Sequence, residues 1–128
     1  MEQPNNPGRV GTLTRHVIDL LGLHTEEAPI YLGETNIEHM MRRHPDDWAA
    51  YGEFIPLILR EPDFVGVNPK DGSVEYVREF RVNGAFVKAA VRVSVGGVLF
   101  VRSLYTVRET RVLNFVAKGN LKPLDKSR

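Results

Sequence analysis

Histidine and arginine side chains gather in one short stretch of the sequence, and their types suit acid–base chemistry. His39, Arg43 and His44 lie in a helix predicted over residues 36–44, which Pro45 ends. Histidine suits proton transfer because its pKa lies near neutrality. At 100° per residue, His39 and Arg43 fall on one side of this helix and His44 falls on the apolar side. There His44 serves either as a general acid or only as a helix-end residue.

A second group of polar residues falls on predicted strands. Two-residue turns at Asn83-Gly84 and Gly96-Gly97 separate three β-rich segments, because each dipeptide supplies positive φ at little steric cost. The segments run from Val74 to Val82, from Phe86 to Val95 and from Val98 to Tyr105. The pattern predicts a three-stranded antiparallel meander.

Tight turns at both dipeptides would fix which residues face each other. One face then collects the polar residues Glu75, Glu79, Lys88, Arg92, Ser103 and Tyr105. The predicted pairs on this face are Lys88–Tyr105, Ala90–Ser103, Glu79–Lys88 and Glu75–Arg92. The other face is apolar and includes Phe100, with Arg102 interrupting it. The polar face is either a set of ordinary cross-strand ion pairs or a surface for RNA phosphates and bases.

The remaining elements predict a single α+β domain. Residues 1–12 read as a flexible arm, 13–124 as the domain and 125–128 as a tail. Thr12 or Thr14 can cap a helix that ends near Leu23. A short strand follows over 30–32, Thr35 can cap the histidine-bearing helix, and the last helix is predicted over 107–118.

Composition excludes several kinds of site. The 128 residues include no cysteine, which rules out disulfides, thiolate nucleophiles and Cys-based metal sites. His39 and His44 are five residues apart, which is not the spacing of a helical zinc pair, so we expect no metal and no cofactor. With neither a signal peptide nor an apolar run long enough for a membrane span, the chain is expected to be cytoplasmic. The net charge of +1 leaves nucleic-acid binding to local patches.

Five segments, taken in order, resemble the phage Barnase–EndoU–colicin–RelE-like nuclease domains. The resemblance extends from about Ile30 to Leu124. Its segments are Ile37–Pro45, Ile55–Asp63, Ala90–Ser94, Phe100–Tyr105 and Arg111–Phe115.

The resemblance implies an antiparallel sheet with helices packed mainly on one face and a metal-independent ribonuclease site. In this fold the 2′-hydroxyl of RNA attacks the adjacent phosphate, which needs a base, an acid and cations. The residues implied as catalytic are His39, His44, Arg102, Ser103 and Tyr105, and those implied in substrate binding are Arg43, Lys88 and Arg92. By the predicted registers Arg102 lies on the face opposite Ser103, so one shared pocket needs a bulge or a site at a sheet edge.

The implied ligand is RNA, and two other readings of the same fold remain open. In the first, the chain is a non-catalytic RNA- or protein-binding module. In the second, it is a toxin-type effector that a cognate antitoxin or immunity protein neutralises.

Overall fold

The computed structural model of the chain describes residues 8–93 and 96–124, which form seven strands, five α-helices and a short 3-10 helix, Gly52–Phe54. The mixed α+β class is therefore confirmed. The strands are β1 (Gly8–Leu13), β2 (Ala28–Leu32), β3 (Phe64–Val67), β4 (Val74–Phe80), β5 (Ala85–Val93), β6 (Leu99–Val107) and β7 (Leu121–Pro123). The helices are α1 (Arg15–Leu21), α2 (Glu34–Arg43), α3 (Pro45–Tyr51), α4 (Ile55–Arg60) and α5 (Glu109–Ala117).

All seven strands form one sheet in the order β1-β2-β6-β5-β4-β3-β7. The neighbours pair antiparallel except for β2 and β6, which are parallel. The predicted flexible arm was wrong over residues 8–12, because they belong to β1 and pair with β2. The rest of that arm and the predicted tail lie outside the described residues.

The turn between β4 and β5 is longer than predicted. Phe80 pairs with Ala85, so four residues connect the strands instead of two. The Asn83 amide explains the difference, because its Nδ2 donates to the Tyr51 hydroxyl at 2.9 Å and its Oδ1 accepts from the Ala85 N–H at 3.0 Å. Gly84 does take the positive φ that the dipeptide predicted, 72°.

This longer turn corrects two predicted pairs. The partner of Lys88 is Val77 and the partner of Glu75 is Ala90. The shift is by two residues, and side chains alternate with a period of two. Each side chain of β4 therefore keeps the face that the sequence predicts.

The pairing of β5 with β6 begins as predicted and then changes at a bulge. Lys88 faces Tyr105 and Ala90 faces Ser103, which confirms both predicted pairs. The next pair is Val91 with Val101, so Arg102 is the extra residue on β6. The predicted Gly96-Gly97 turn adjoins residues 94–95, which lie outside the described part of the chain.

The bulge reverses the alternation of side chains in the first part of β6. Val101 is fully buried in the core with Val91, and Arg102 is exposed. The predictions that Phe100 lies in the core and that Arg102 interrupts it were therefore wrong. Phe100 lies on the opposite face, where its partner on β5 is the exposed Arg92.

Local hydrogen bonds set where the first two helices begin. The Thr14 hydroxyl accepts from the Val17 N–H, so Thr14 is the N-cap of α1, one of the two predicted. The cap of α2 is Gly33, not the predicted Thr35. Asn36 determines this cap position, because its side-chain oxygen accepts the Gly33 N–H at 3.0 Å. The helix therefore starts nearer the N-terminus than predicted.

Side chains pack on both faces of the sheet. Residues from α1, α3 and α4 form the larger cluster with one face, and Met40 of α2 joins them. The second cluster lies on the other face, beneath α5, and contains Val77, Phe86, Val107, Val112 and Leu121. Helix α5 begins at Glu109 and not at the predicted Val107, which ends β6.

Candidate active site

A cleft of about 330 Å³ lies between α2 and β6. It gathers five of the eight residues that the sequence singles out. Its lining consists of His39, Met40, Arg43, His44, Ser103 and Tyr105.

Both histidines reach this cleft because α2 ends one residue earlier than predicted. Helix α2 ends at Arg43, and His44 follows with φ −141° and ψ 69°, outside helical geometry. Pro45 then begins α3. The predicted placement of His39 and His44 on opposite sides of one helix no longer applies, because His44 does not follow the helical rotation. Met41, predicted on the apolar side, is 50% exposed.

The His44 ring stacks on the Tyr105 ring. Their centroids are 5.1 Å apart and their planes differ by 25°. His44 is half-buried, whereas His39 is exposed. Stacking restricts the orientation of the imidazole, so the cleft combines one histidine held by a ring contact with one exposed histidine.

Asp47 ties α3 to β6 beside this ring pair. Its carboxylate accepts the Thr106 N–H at 3.0 Å and the Thr106 hydroxyl at 3.3 Å. Thr106 follows Tyr105 directly, so these bonds fix the strand next to the stacked ring. Only the position of Asp47 in the first turn after Pro45 distinguishes it in the sequence, and that position does not indicate its partner.

Lys88 lies beneath Tyr105 rather than at the surface. It is 6% exposed, and its Nζ lies 5.1 Å from the centre of the Tyr105 ring and 5.5 Å from that of Phe115. The ammonium donates to Glu75 Oε2 at 3.1 Å, and Asn68 Nδ2 donates to the same oxygen at 3.2 Å. This placement does not favour the predicted contact between Lys88 and a backbone phosphate. It makes Lys88 a support for the Tyr105 ring.

Lys88 keeps its positive charge in this position. Burial by itself lowers the pKa of the Lys88 ammonium, but hydrogen bonding to Tyr105 and the charge of Glu75 outweigh burial, and the pKa is raised. A cation is therefore fixed under the Tyr105 ring, where attraction to the ring face adds to the ion pair.

Arg92 and Arg102 are exposed and lie outside the lining of the cleft. Arg102 precedes Ser103 at the bulge, and Arg92 lies across from Phe100. Phe100 is in ring contact with Tyr31, with centroids 6.2 Å apart and planes tilted by 48°. The sequence did not indicate this ring pair, since the bulge that places Phe100 there depends on the tertiary pairing.

A larger groove, of about 880 Å³, lies between β1, α1 and α4. Its lining includes His16, Arg60 and Glu61, but none of the eight residues implied in catalysis or substrate binding. We place the candidate site in the smaller cleft, because two histidines, an arginine and two hydroxyl groups converge there.

Two further observations concern metals and membranes. Within residues 8–93 and 96–124, no cluster of three or more His, Asp or Glu side chains is arranged to hold a metal ion. No helix in the same part of the chain has the length and apolar character of a membrane span.

An α+β fold with two histidines, an arginine and hydroxyl groups in one cleft between a helix and a strand is suited to chemistry on a phosphodiester. Comparison with known families agrees with this class. A family described as phage-Barnase-EndoU-ColicinE5/D-RelE like nuclease3 matches residues 8–114, and the chain belongs to this family. The match begins at β1, earlier than the expected Ile30, ends within α5 and includes every residue of the cleft. No curated protein and no solved structure matches the chain.

Proposed function

We propose that the chain is an endoribonuclease that cleaves RNA without a metal ion. The observation that carries the proposal is the convergence of His39 and His44 in one cleft with Arg43, Ser103 and Tyr105. Membership of a nuclease-like family supports the general activity. RNA as the substrate and the absence of a metal requirement are what the family resemblance implies, and two histidines able to act as base and acid suit that chemistry.

The reaction needs two proton transfers. A base removes the proton of the ribose 2′-hydroxyl, whose oxygen forms a bond to phosphorus. The bond from phosphorus to the 5′-oxygen breaks, and an acid protonates that oxygen as it leaves. The products are a 2′,3′-cyclic phosphate and a free 5′-hydroxyl. His39 and His44 supply the base and the acid, with either assignment open.

Cations and hydroxyl donors stabilise the extra charge of the phosphorane. Arg43 is the arginine in the lining of the cleft and takes this role. Ser103 and Tyr105 donate to the phosphate oxygens. Arg102, exposed at the bulge next to Ser103, contacts the phosphate or its neighbour from the rim.

The test is cleavage of a labelled RNA in excess chelator, beside a DNA strand of the same sequence. We expect RNA fragments with cyclic or 3′-phosphate ends and intact DNA, because DNA lacks the 2′-hydroxyl nucleophile. The double variant His39→Ala/His44→Ala, purified identically, controls for contaminating nucleases. Loss of cleavage in chelator would overturn metal independence. Binding of RNA without cleavage across pH 5 to 9 would favour a non-catalytic binding module.

A further inference from the structure

Four residues form a row across four neighbouring strands. Arg9 of β1 pairs with Tyr31 of β2, Tyr31 pairs with Phe100 of β6, and Phe100 pairs with Arg92 of β5. Directly paired residues place their side chains on the same face of a sheet. With strands about 4.8 Å apart, the row is roughly 14 Å long. It consists of two aromatic rings with a cationic side chain at each end.

The row lies on the face opposite the larger core. The chain neighbours of its rings point into that core: Ile30 and Val101 are fully buried there and Leu99 is nearly so. The two rings are half-buried, and both arginines are exposed. The Arg9 guanidinium is held by the Thr12 hydroxyl at 2.7 Å, so one end of the row carries a positioned positive charge.

The row is continuous with the cleft along β6. Phe100 belongs to the row, Ser103 and Tyr105 line the cleft, and the exposed Arg102 lies between them. Phe100 and Ser103 are three residues apart, roughly 10 Å along a strand. Helix α5 covers a different part of this face, over Val77 and Phe86.

We propose that this row is a binding subsite for single-stranded RNA beside the cleft. Tyr31 and Phe100 stack bases of the strand, and Arg92 contacts a phosphate. Rings on a sheet face stack bases of any identity, so the subsite adds affinity without strong sequence preference. The inference rests on the proposed function for the choice of RNA as ligand.

The first experiment measures whether Phe100 adds affinity only for longer strands. The probes are fluorescein-labelled 2′-O-methyl oligonucleotides of two and eight nucleotides, which lack the nucleophilic hydroxyl, and the measurement is fluorescence anisotropy. We expect Phe100→Leu to weaken octamer binding by about 5- to 100-fold and to leave dinucleotide binding unchanged. The matched control is Phe54→Leu, because the Phe54 and Phe80 rings form a similar pair, 5.6 Å apart, away from the row.

A second variant keeps the test decisive if Phe100→Leu does not fold. Arg92→Gln changes an exposed side chain. We expect it to weaken octamer binding and to reduce the slope of log affinity against log salt by about 0.7, the contribution of one phosphate contact on a single strand. The control is Arg81→Gln, an exposed arginine in the β4–β5 turn.

The subsite is overturned if each variant binds the octamer as its control does, if both probe lengths are affected equally, or if the wild-type protein binds neither probe. Cleavage of an unmodified RNA is measured in parallel. Cleavage with no effect of either variant on octamer binding removes only the subsite. Length-dependent binding by a protein that does not cleave RNA supports the subsite and overturns the proposed ribonuclease activity.

Discussion

His44 is distinguished by its backbone position and by its ring contact. It lies between α2 and α3, where Pro45 prevents helical continuation, and its ring is stacked on Tyr105. A side chain in a regular helix would follow the 100° rotation and point away from His39. The helix break therefore determines whether two proton-transfer groups share one cleft.

The role of His44 can be separated from its packing by substitution. His44→Phe keeps a ring for Tyr105 but cannot transfer a proton, so we expect a cleavage rate lower by roughly 10²–10⁴-fold and a melting temperature near that of the wild type. His39→Ala should lower the rate within the same range. The control is His24→Ala, an exposed histidine outside the cleft. Undiminished cleavage by folded His44→Phe would assign the residue to packing alone.

The dependence of the rate on pH gives an independent check of the same pair. One histidine must be neutral and the other protonated, which predicts a bell-shaped dependence of the rate on pH. A single-histidine variant should lose one limb of the bell. A wild-type rate that does not change between pH 5 and 9 would move the chemistry to Arg43, Ser103 and Tyr105.

The Lys88–Glu75 pair predicts how stability changes at high pH. The pKa of Lys88 is raised from its ordinary value of 10.5, so the pair contributes stability below that pH and loses it as the pH rises through the folded-state pKa. Lys88→Met should lower the free energy of unfolding at pH 7 by about 3 kcal/mol, because Glu75 stays buried without its partner.

Urea unfolding at pH 7 and between pH 9 and 11.5 measures both effects. Relative to the wild type, Lys88→Met should lose less stability over the alkaline range. The control is Lys118→Met, an exposed lysine on the last turn after α5, which should follow the wild-type curve. Parallel alkaline losses in wild type and Lys88→Met would show that the pair does not contribute in this way.

Among the elements, β6 does most to build the site. It carries Ser103 and Tyr105 in the cleft and Phe100 in the aromatic row, with the bulge between them. The bulge puts Val101 into the core and moves Phe100 to the face that carries the cleft. One extra residue in one strand therefore changes which side chains are available for binding.

The bulge can be tested by comparing a substitution with a deletion at the same position. Arg102→Ala removes an exposed side chain and should leave the melting temperature almost unchanged. Deleting Arg102 removes the extra residue and leaves Val101 opposite Val91 and Phe100 opposite Arg92, so both side chains keep their faces and we expect the core to stay packed. Thermal unfolding measures both. A deletion variant that is less stable than Arg102→Ala by about 2–5 kcal/mol, the cost of a mispacked core, would contradict the one-residue bulge.

Across the whole molecule, a single sheet separates two clusters of buried side chains. Strand β4 contributes Tyr76 to the larger cluster and Val77 to the smaller. Neighbouring residues of one strand thus belong to different clusters, and neither cluster can lose its packing without disturbing the strand that serves both. We expect a chain of this size to unfold in one cooperative step.

Trp48 reports on this coupling because it packs against the larger cluster. Val112→Ala, in the smaller cluster beneath α5, should lower the free energy of unfolding by about 1–3 kcal/mol. The unfolding transition seen by Trp48 fluorescence should shift by as much as that seen by circular dichroism. The control is Leu113→Ala, half-exposed on the same helix, which should shift neither. An unshifted Trp48 transition would show that the clusters unfold separately.

The sequence by itself determined the α+β class, the nuclease family and the pairing of Lys88 with Tyr105. These features depend on local signals or on ordered motifs. The local signals are the hairpin dipeptides, the glycine and proline residues that end helices, and the alternation of apolar residues. Each acts over a few neighbouring residues and can therefore be identified in the sequence alone. The sequence also indicated His39, His44, Ser103 and Tyr105, and the structure brings these four together in the cleft.

Only the tertiary structure decided where the alternation breaks. Asn83 lengthens its turn because Tyr51, far away in the chain, accepts its amide, and the bulge at Arg102 lets Val101 fill the core. In each case a contact made after folding overrides a regular local pattern. At the bulge, burial of an apolar side chain outweighs regular strand pairing. For this reason Phe100 lies beside the cleft instead of in the core. Lys88 is buried against Tyr105 and against Phe115 of α5, which the local pattern does not indicate.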